Sequence, residues 1–196
     1  NVVAKHPRLR ALFWARPGEE ASSADNFQAF LERDSFVGVK LHPQMNKFDA
    51  DSPAVDWYLE LCAKVGAPAV FHCQEAAPIA RLARRHSKVP VVLYHSGFST
   101  DHEEAIRTVE QSLAAKDCDL YLETAQVSAE KAVEMVRRVG AARVVFGTDA
   151  TYHGKEHYRR YTEMVKLLAE KLTPADFRLV MSGNAERLFR LPAGGR

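Results

Sequence analysis

The stretch PAVFHC, residues 68–73, is a run of small and apolar residues that stops at a histidine, His72. The same figure returns in VPVVLYH (89–95), which ends in His95, and in ARVVFGTD (142–149), which ends in Asp149. Short, nearly continuous apolar runs bounded by turn-forming residues are the pattern of strands buried on both faces, as in a parallel sheet. Outward from these three, LRALFWAR (9–16), FVGVKLH (36–42) and CDLYLET (118–124) read as further strands. Between and after them, helical periodicity covers about 25–33, 53–65, 76–86, 101–115, 128–139, 155–171 and 174–189. Thr100 with Glu103, and Thr173 with Pro174 and Asp176, are helix-start signals; Gly66 and Gly140 stand where helices should stop. The segment 42–48, after the strand that Pro43 terminates, reads as a loop at the sheet rim in which Met45 or Phe48 walls a pocket.

Strict alternation of strand and helix implies right-handed crossovers and a parallel sheet, either a closed (β/α)8 barrel or an open doubly wound sheet. The polar residues choose between them. Lys40 and His42, His72, His95, Glu123 and Asp149 each fall at or near the C-terminal end of a strand. In a parallel barrel those ends form one rim and converge on one cavity, whereas an open sheet spreads them along an edge. No strand is followed by a GxGxxG turn, so a dinucleotide fold lacks its signature. The expected fold is therefore α/β, a (β/α)8 TIM-type barrel in one domain over residues 1–196.

Composition narrows the functional class. Among 196 residues, 46% are hydrophobic and 27% charged, with a formal net charge of +2, which is ordinary for a globular domain and gives no basic surface for a nucleic acid. No apolar run approaches the roughly 20 residues of a membrane-spanning helix. Three cysteines in no paired spacing suit reduced thiols and a cytoplasmic setting, and alternation turns Cys73 to the face opposite His72. The expected partner is a small-molecule substrate, with no nucleic acid and no membrane; the oligomeric state, a homo-oligomer included, is left open.

A strand-end histidine by itself is more often a hydrogen-bonded structural residue than a ligand. His6, His86, His102, His153 and His157 fall in that class, with His153 near enough to the rim to be a minor substrate-site candidate. His72, His95 and Asp149 differ because three rigid elements aim them at one end of the sheet. A divalent cation such as zinc takes neutral imidazole nitrogen and carboxylate oxygen at about 2.0–2.2 Å. Once held, it brings the pKa of a bound water to about 7, and a neighbouring aspartate can accept that water's proton.

The chain resembles the metal-dependent amidohydrolase superfamily, in particular the amidohydrolase-related branch that also contains metal-dependent decarboxylases. GVKLHP (38–43), APAVFHC (67–73), VVLYHSG (91–97), RVVFGTDA (143–150) and GNAERLFRL (183–191) carry the resemblance, in the family's order and spacing, from Leu9 onward. It implies a distorted (β/α)8 barrel in which GVKLHP is the fourth strand, His72 on the fifth is a metal ligand, and His95 on the sixth is a ligand or hydrogen-bonds water and substrate. It also implies that Asp149 on the eighth strand is ligand and general base, with zinc the expected metal and manganese the alternative. Lys40 and His42 are then substrate-binding groups, with a carboxylated, bridging Lys40 the less favoured reading, and Glu123 either orients His72 or His95 or is a plain loop carboxylate. For GNAERLFRL, packing through Leu188, Phe189 and Leu191 suffices.

The chain departs from the family pattern by lacking a first-strand His-x-His pair. LRALFWAR takes the place of the third strand, so about six of eight βα units (strands 3–8) are expected here, with two preceding units belonging to a longer protein. A site of two or three ligands in such a chain should hold zinc weakly, and unpaired edges should favour aggregation. The function implied is metal-dependent hydrolysis of a small ester, lactone or amide. The alternative is non-oxidative decarboxylation at the same site. Two weaker readings are a metal-dependent deoxyribonuclease, suggested by FHCQEA, YHSGF and NAERLF, and a non-catalytic barrel remnant.

Overall fold

β-branched and aromatic residues carry the strands. β1 (Ala11–Trp14), β2 (Phe36–Leu41), β3 (Ala69–His72), β4 (Val91–Tyr94), β5 (Leu120–Glu123) and β6 (Val144–Val145) form one sheet in the order β1-β2-β3-β4-β5-β6. Every neighbouring pair is parallel. The computed structural model describes residues 3–6, 8–18, 27–29, 36–98, 102–150 and 152–191. The helices are α1 (Pro43–Asn46), α2 (Pro53–Val65), α3 (Ala76–Arg85), α4 (His102–Ala115), α5 (Ala129–Val139), α6 (His157–Lys171), α7 (Pro174–Arg178) and α8 (Asn184–Leu188). This is the βα succession of a (β/α)8-type barrel, six strands of it.

The two faces of the sheet bury different things. On the helix side, Val39, Leu41, Phe71, Leu93 and Leu122 pack against Leu59, Ile79, Ile106 and Val136 in the main core. Cys73 is buried there too, opposite the histidines, and its thiol is pushed up to about 12 by burial. On the inner side a smaller cluster joins Val70, Val92, Tyr121 and Val145 to Leu188 and Phe189, so the closing segment plugs the inner face by packing. Register aligns Lys40 with Val70, Val70 with Val92, Val92 with Tyr121, and His72 with Tyr94. Alternation then places Lys40, His42, His72, Tyr94 and Glu123 on the inner face, at the C-terminal end of their strands.

Local signals act where they were expected. Gly66 (φ 64°) and Gly140 (φ 84°) follow α2 and α5 in conformations that suit glycine. The Thr173 hydroxyl accepts from the Asp176 N–H at 3.1 Å and donates to its carboxylate at 2.8 Å. Thr100 and most of the helix expected over 25–33 lie outside the described residues; 27–29 are helical.

Three expectations need correction. The 42–48 segment contains the helical turn α1, because the His42 Nδ1 accepts from the Met45 N–H at 3.3 Å and so caps it. The strand expected over 142–149 is only Val144–Val145: Ala141–Arg143 coils into a 3-10 turn, and the Phe146 N–H leaves the sheet for the Val180 carbonyl at 3.0 Å. The helix expected over 174–189 is broken at Leu179–Gly183 by a π-helical turn. Its cause is tertiary, since the buried Asn184 side chain donates to the Ala141 and Val144 carbonyls at 2.7 and 2.8 Å.

A long-range cap also steadies the loop after His72. The first turn of α3 has no side-chain cap of its own, and the Glu104 carboxylate from α4 accepts from the Ala76 and Ala77 N–H groups at 2.9 Å each.

Candidate active site

His72 ends β3 and His95 immediately follows β4, and their rings meet edge to face with centroids 4.8 Å apart. His42 lies flat on His72, with centroids 3.8 Å apart and planes 12° apart, and Trp14 extends the stack over His42 at 5.9 Å. Phe98 closes against both His72 and His95 at 5.2 Å. Burial in this apolar surround holds both imidazoles neutral: His72 falls to about 3, helped by His42, His95 and Lys40, and His95 to about 4, helped by Lys40.

The backbone that presents His95 is strained. His95 (φ 67°) and Ser96 (φ 47°) are both left-handed, a conformation costing roughly 1–2 kcal/mol for a residue with a side chain. Glu123 holds it in place. Its fully buried carboxylate accepts from the His95 N–H and the Ala125 N–H at 2.9 Å each. The Ser96 hydroxyl donates to the Glu123 carbonyl at 2.8 Å and accepts from the Glu123 N–H at 2.9 Å. Of the two roles open to Glu123 in the sequence, it takes the orienting one, through the main chain of His95. Gly147 makes room for this, because any Cβ there would collide with the Glu123 carboxylate. Gly147 is in turn tied to β5 through the Thr124 hydroxyl, at 2.9 and 3.0 Å.

Asp149 is also left-handed (φ 52°), and Gln126 donates to its Oδ2 at 3.0 Å. Its charge acts on Lys40 and His95. Lys40 lies in the same interior, its Nζ buried without a hydrogen-bond partner and 3.9 Å above the Tyr94 ring. Burial lowers it to about 8 against the opposing pull of Glu123 and Asp149, and burial lifts Glu123 to about 7. Residues around neutrality are what proton-transfer sites collect.

A cavity of about 420 Å³, the size of a small-molecule cleft, opens on His72 and is lined by Gln44, Phe48, Asp51, Glu75 and Ile79 among others. Phe48 therefore walls it, while Met45 is 62% exposed.

The structure thus brings His72, His95, His42 and Lys40 together; Asp149 is held by Gln126 and acts on His95 and Lys40 through its charge, not through a contact. Among the described residues no three His, Cys, Asp or Glu side chains gather closely enough to close a metal site. The donors present still suit a divalent cation: two neutral imidazoles, of which His95 has a buried Nδ1 without a partner. The other histidines are spent differently. His86 pairs with Asp56 at 2.5 Å, and the His102 Nδ1 hydrogen-bonds the Ser96 carbonyl at 2.7 Å. Ser96 and Gly147 lie inside the stretches that carry the family resemblance, but their roles, like that of Gln126, were not legible because their partners lie on other strands.

The histidines, lysine and carboxylate on the inner face lie at the C-terminal ends of the strands of a parallel βα sheet, where a (β/α)8-type barrel gathers its functional groups. The chain belongs to the amidohydrolase family, whose model matches residues 1–191. No curated protein matches it in sequence. Among solved structures it is similar to 5-carboxyvanillate decarboxylase from Sphingomonas paucimobilis, at 17% identity and TM-score 0.72, covering 97% of this chain and 70% of that one. Dihydroxybenzoic acid decarboxylase from Polaromonas sp. JS666, solved with bound manganese and an inhibitor, is 17% identical at TM-score 0.69, covering 96% and 71%. 4-Oxalomesaconate hydratase from Rhodopseudomonas palustris is 14% identical at TM-score 0.69, covering 97% and 68%. Among the described residues no helix is long and apolar enough to cross a membrane.

Proposed function

We propose that this chain carries the site of a metal-dependent hydrolase acting on a small ester, lactone or amide. The observation that carries the reading is the pair of imidazoles, His72 and His95, with ring centroids 4.8 Å apart at the ends of adjacent strands, in surroundings that lower both pKa values. His72, His95 and Asp149 would hold the cation, zinc or manganese, which when bound supplies a water acidic enough to attack at neutral pH and a charge that polarises the substrate carbonyl. His42, stacked flat on His72, fixes the plane of that ring. Gln126 occupies Asp149 Oδ2 and leaves Oδ1 to take the proton of the attacking water and return it to the leaving group. Phe98 packs edge-on and tilted against the two rings and restricts how they can turn.

One observation favours decarboxylation as a second reading. The Lys40 ammonium is buried without a hydrogen-bond partner, a seat for a carboxylate beside the histidines, and two of the similar structures are decarboxylases. Supplying zinc or manganese and then following acid release from lactones and esters alongside CO₂ release from aromatic acids separates the two. Hydrolysis that vanishes in Asp149→Asn supports the first reading. CO₂ release without hydrolysis moves the assignment to the second, and a metal-loaded chain doing neither refutes both.

A further inference from the structure

Beyond Asp149 the chain builds a second group of polar side chains that the reaction sketched above does not use. His153 follows β6; His157 and Arg160 lie on the first turn of α6. The two imidazoles face one another at a centroid distance of 6.1 Å, with ring planes 28° apart. Each has a buried nitrogen without a hydrogen-bond partner, Nε2 of His153 and Nδ1 of His157, and the Arg160 Nε is a third. His157 is 1% exposed, so its nitrogen has no access to bulk water.

Arg160 sets the sign of what could sit there. One arm of its guanidinium donates to the Val127 carbonyl at 2.9 Å, which anchors the side chain and leaves Nε–H aimed elsewhere. Among the described residues no carboxylate pairs with it; the nearby Glu156 is taken by Arg159 at 2.6 Å. Its positive charge is felt by His153. A buried N–H that lacks an acceptor is costly, and a cation would be repelled by the guanidinium, so an anionic acceptor answers both. The group is wired to the proposed site. Gln126, whose side chain holds Asp149, donates its backbone N–H to the Tyr161 hydroxyl at 3.1 Å, and the Tyr161 ring packs on His157 at 4.9 Å. His153 and Arg160 are only partly buried as residues, while the three unpartnered nitrogens themselves face inward.

We propose that His153, His157 and Arg160 form a subsite for a substrate carboxylate that does not itself react. The inference rests on the reading of His72, His95 and Asp149 as the reactive centre and adds a substrate class to it: small carbonyl compounds bearing a carboxylate away from the bond that is cleaved. The Arg160 Nε–H donates to one carboxylate oxygen and the two imidazoles donate to the other, and the anion orients the substrate relative to Asp149.

Calorimetric titration of the chain with benzoate and with its neutral isostere benzamide tests this. Benzoate should bind at least about tenfold more tightly than benzamide, and Arg160→Gln should remove that preference, as loss of a charge-assisted hydrogen bond requires. His153→Gln, on an exposed turn, is the second variant should Arg160→Gln fail to fold, and it should weaken benzoate in the same direction. Equal binding of the two ligands overturns the subsite, as does undiminished benzoate binding in either folded variant. So does loss of benzoate in Lys40→Met with retention in Arg160→Gln, which places the carboxylate at Lys40. Zinc uptake, measured on the same proteins, keeps the two ideas apart: it depends on His72 and not on Arg160, so its absence in the parent chain counts against the reactive centre and leaves the benzoate result to be judged alone.

Discussion

At the level of single residues the site depends on Glu123 more than on the groups that would touch substrate. Glu123 ties down a left-handed His95 from the neighbouring strand, and Gly147 is the space it occupies. A Gly147→Ala protein should therefore lose roughly 1–3 kcal/mol of stability through overpacking, read from urea denaturation, and should lose His95-dependent zinc uptake with it. The histidine environment gives a second test. His95 has its folded pKa lowered from 6.5 to about 4 by burial, so between those values the unfolded chain binds a proton that the folded chain does not. Its contribution is intact above pH 6.5 and is lost as pH falls toward 4. Glu123, raised to about 7, works in the opposite direction, so the comparison must be differential. In metal-free protein, the stability of the parent relative to His95→Gln should decline from pH 7 to pH 4.5, and urea midpoints across that range should show it. A constant difference would mean that His95 is already solvated.

At the level of elements, what holds the rim in place comes from distant segments. The cap of α3 is Glu104 of α4, and the partner of β6 beyond Val145 is the terminal segment, through Val180 and Asn184. Asn184 is fully buried and one NH₂ group serves two carbonyls. Replacing it by alanine strands both carbonyls and should cost about 2 kcal/mol, with Asn184→Asp no better because it cannot donate. Equal urea midpoints for parent and Asn184→Ala would show that the π-helical turn holds without it. The helices themselves were largely visible in the sequence, because 3.6-residue periodicity and caps such as Thr173 are local. The break at Leu179–Gly183 was not, since its cause sits about 40 residues away at Ala141 and Val144.

At the scale of the molecule, the described residues form six parallel strands in sequence order, with β1 and β6 as the outer members of that sheet. Near β1 the apolar side chains Leu9 and Trp14 are 48% and 44% exposed. An outer strand with exposed apolar side chains is a template for association. Sedimentation velocity should show the apparent mass of the chain rising with concentration, and a Leu9→Lys, Trp14→Lys double variant should remain monomeric over the same range. Identical behaviour of the two proteins would place any association elsewhere.

By itself the sequence settled the order of the strands and of the main helices between them, because a two-residue strand period and a 3.6-residue helix period are properties of neighbouring residues. It also placed Lys40, His42, His72 and His95 at strand ends, since the apolar runs stop where the polar residues begin. Only the tertiary structure decided that His42 stacks on His72, that Glu123 supports His95, and that Gly147 has to lack a side chain. Those relations are distances between residues tens of positions apart, and chain closure across the sheet sets them rather than any local preference of the chain.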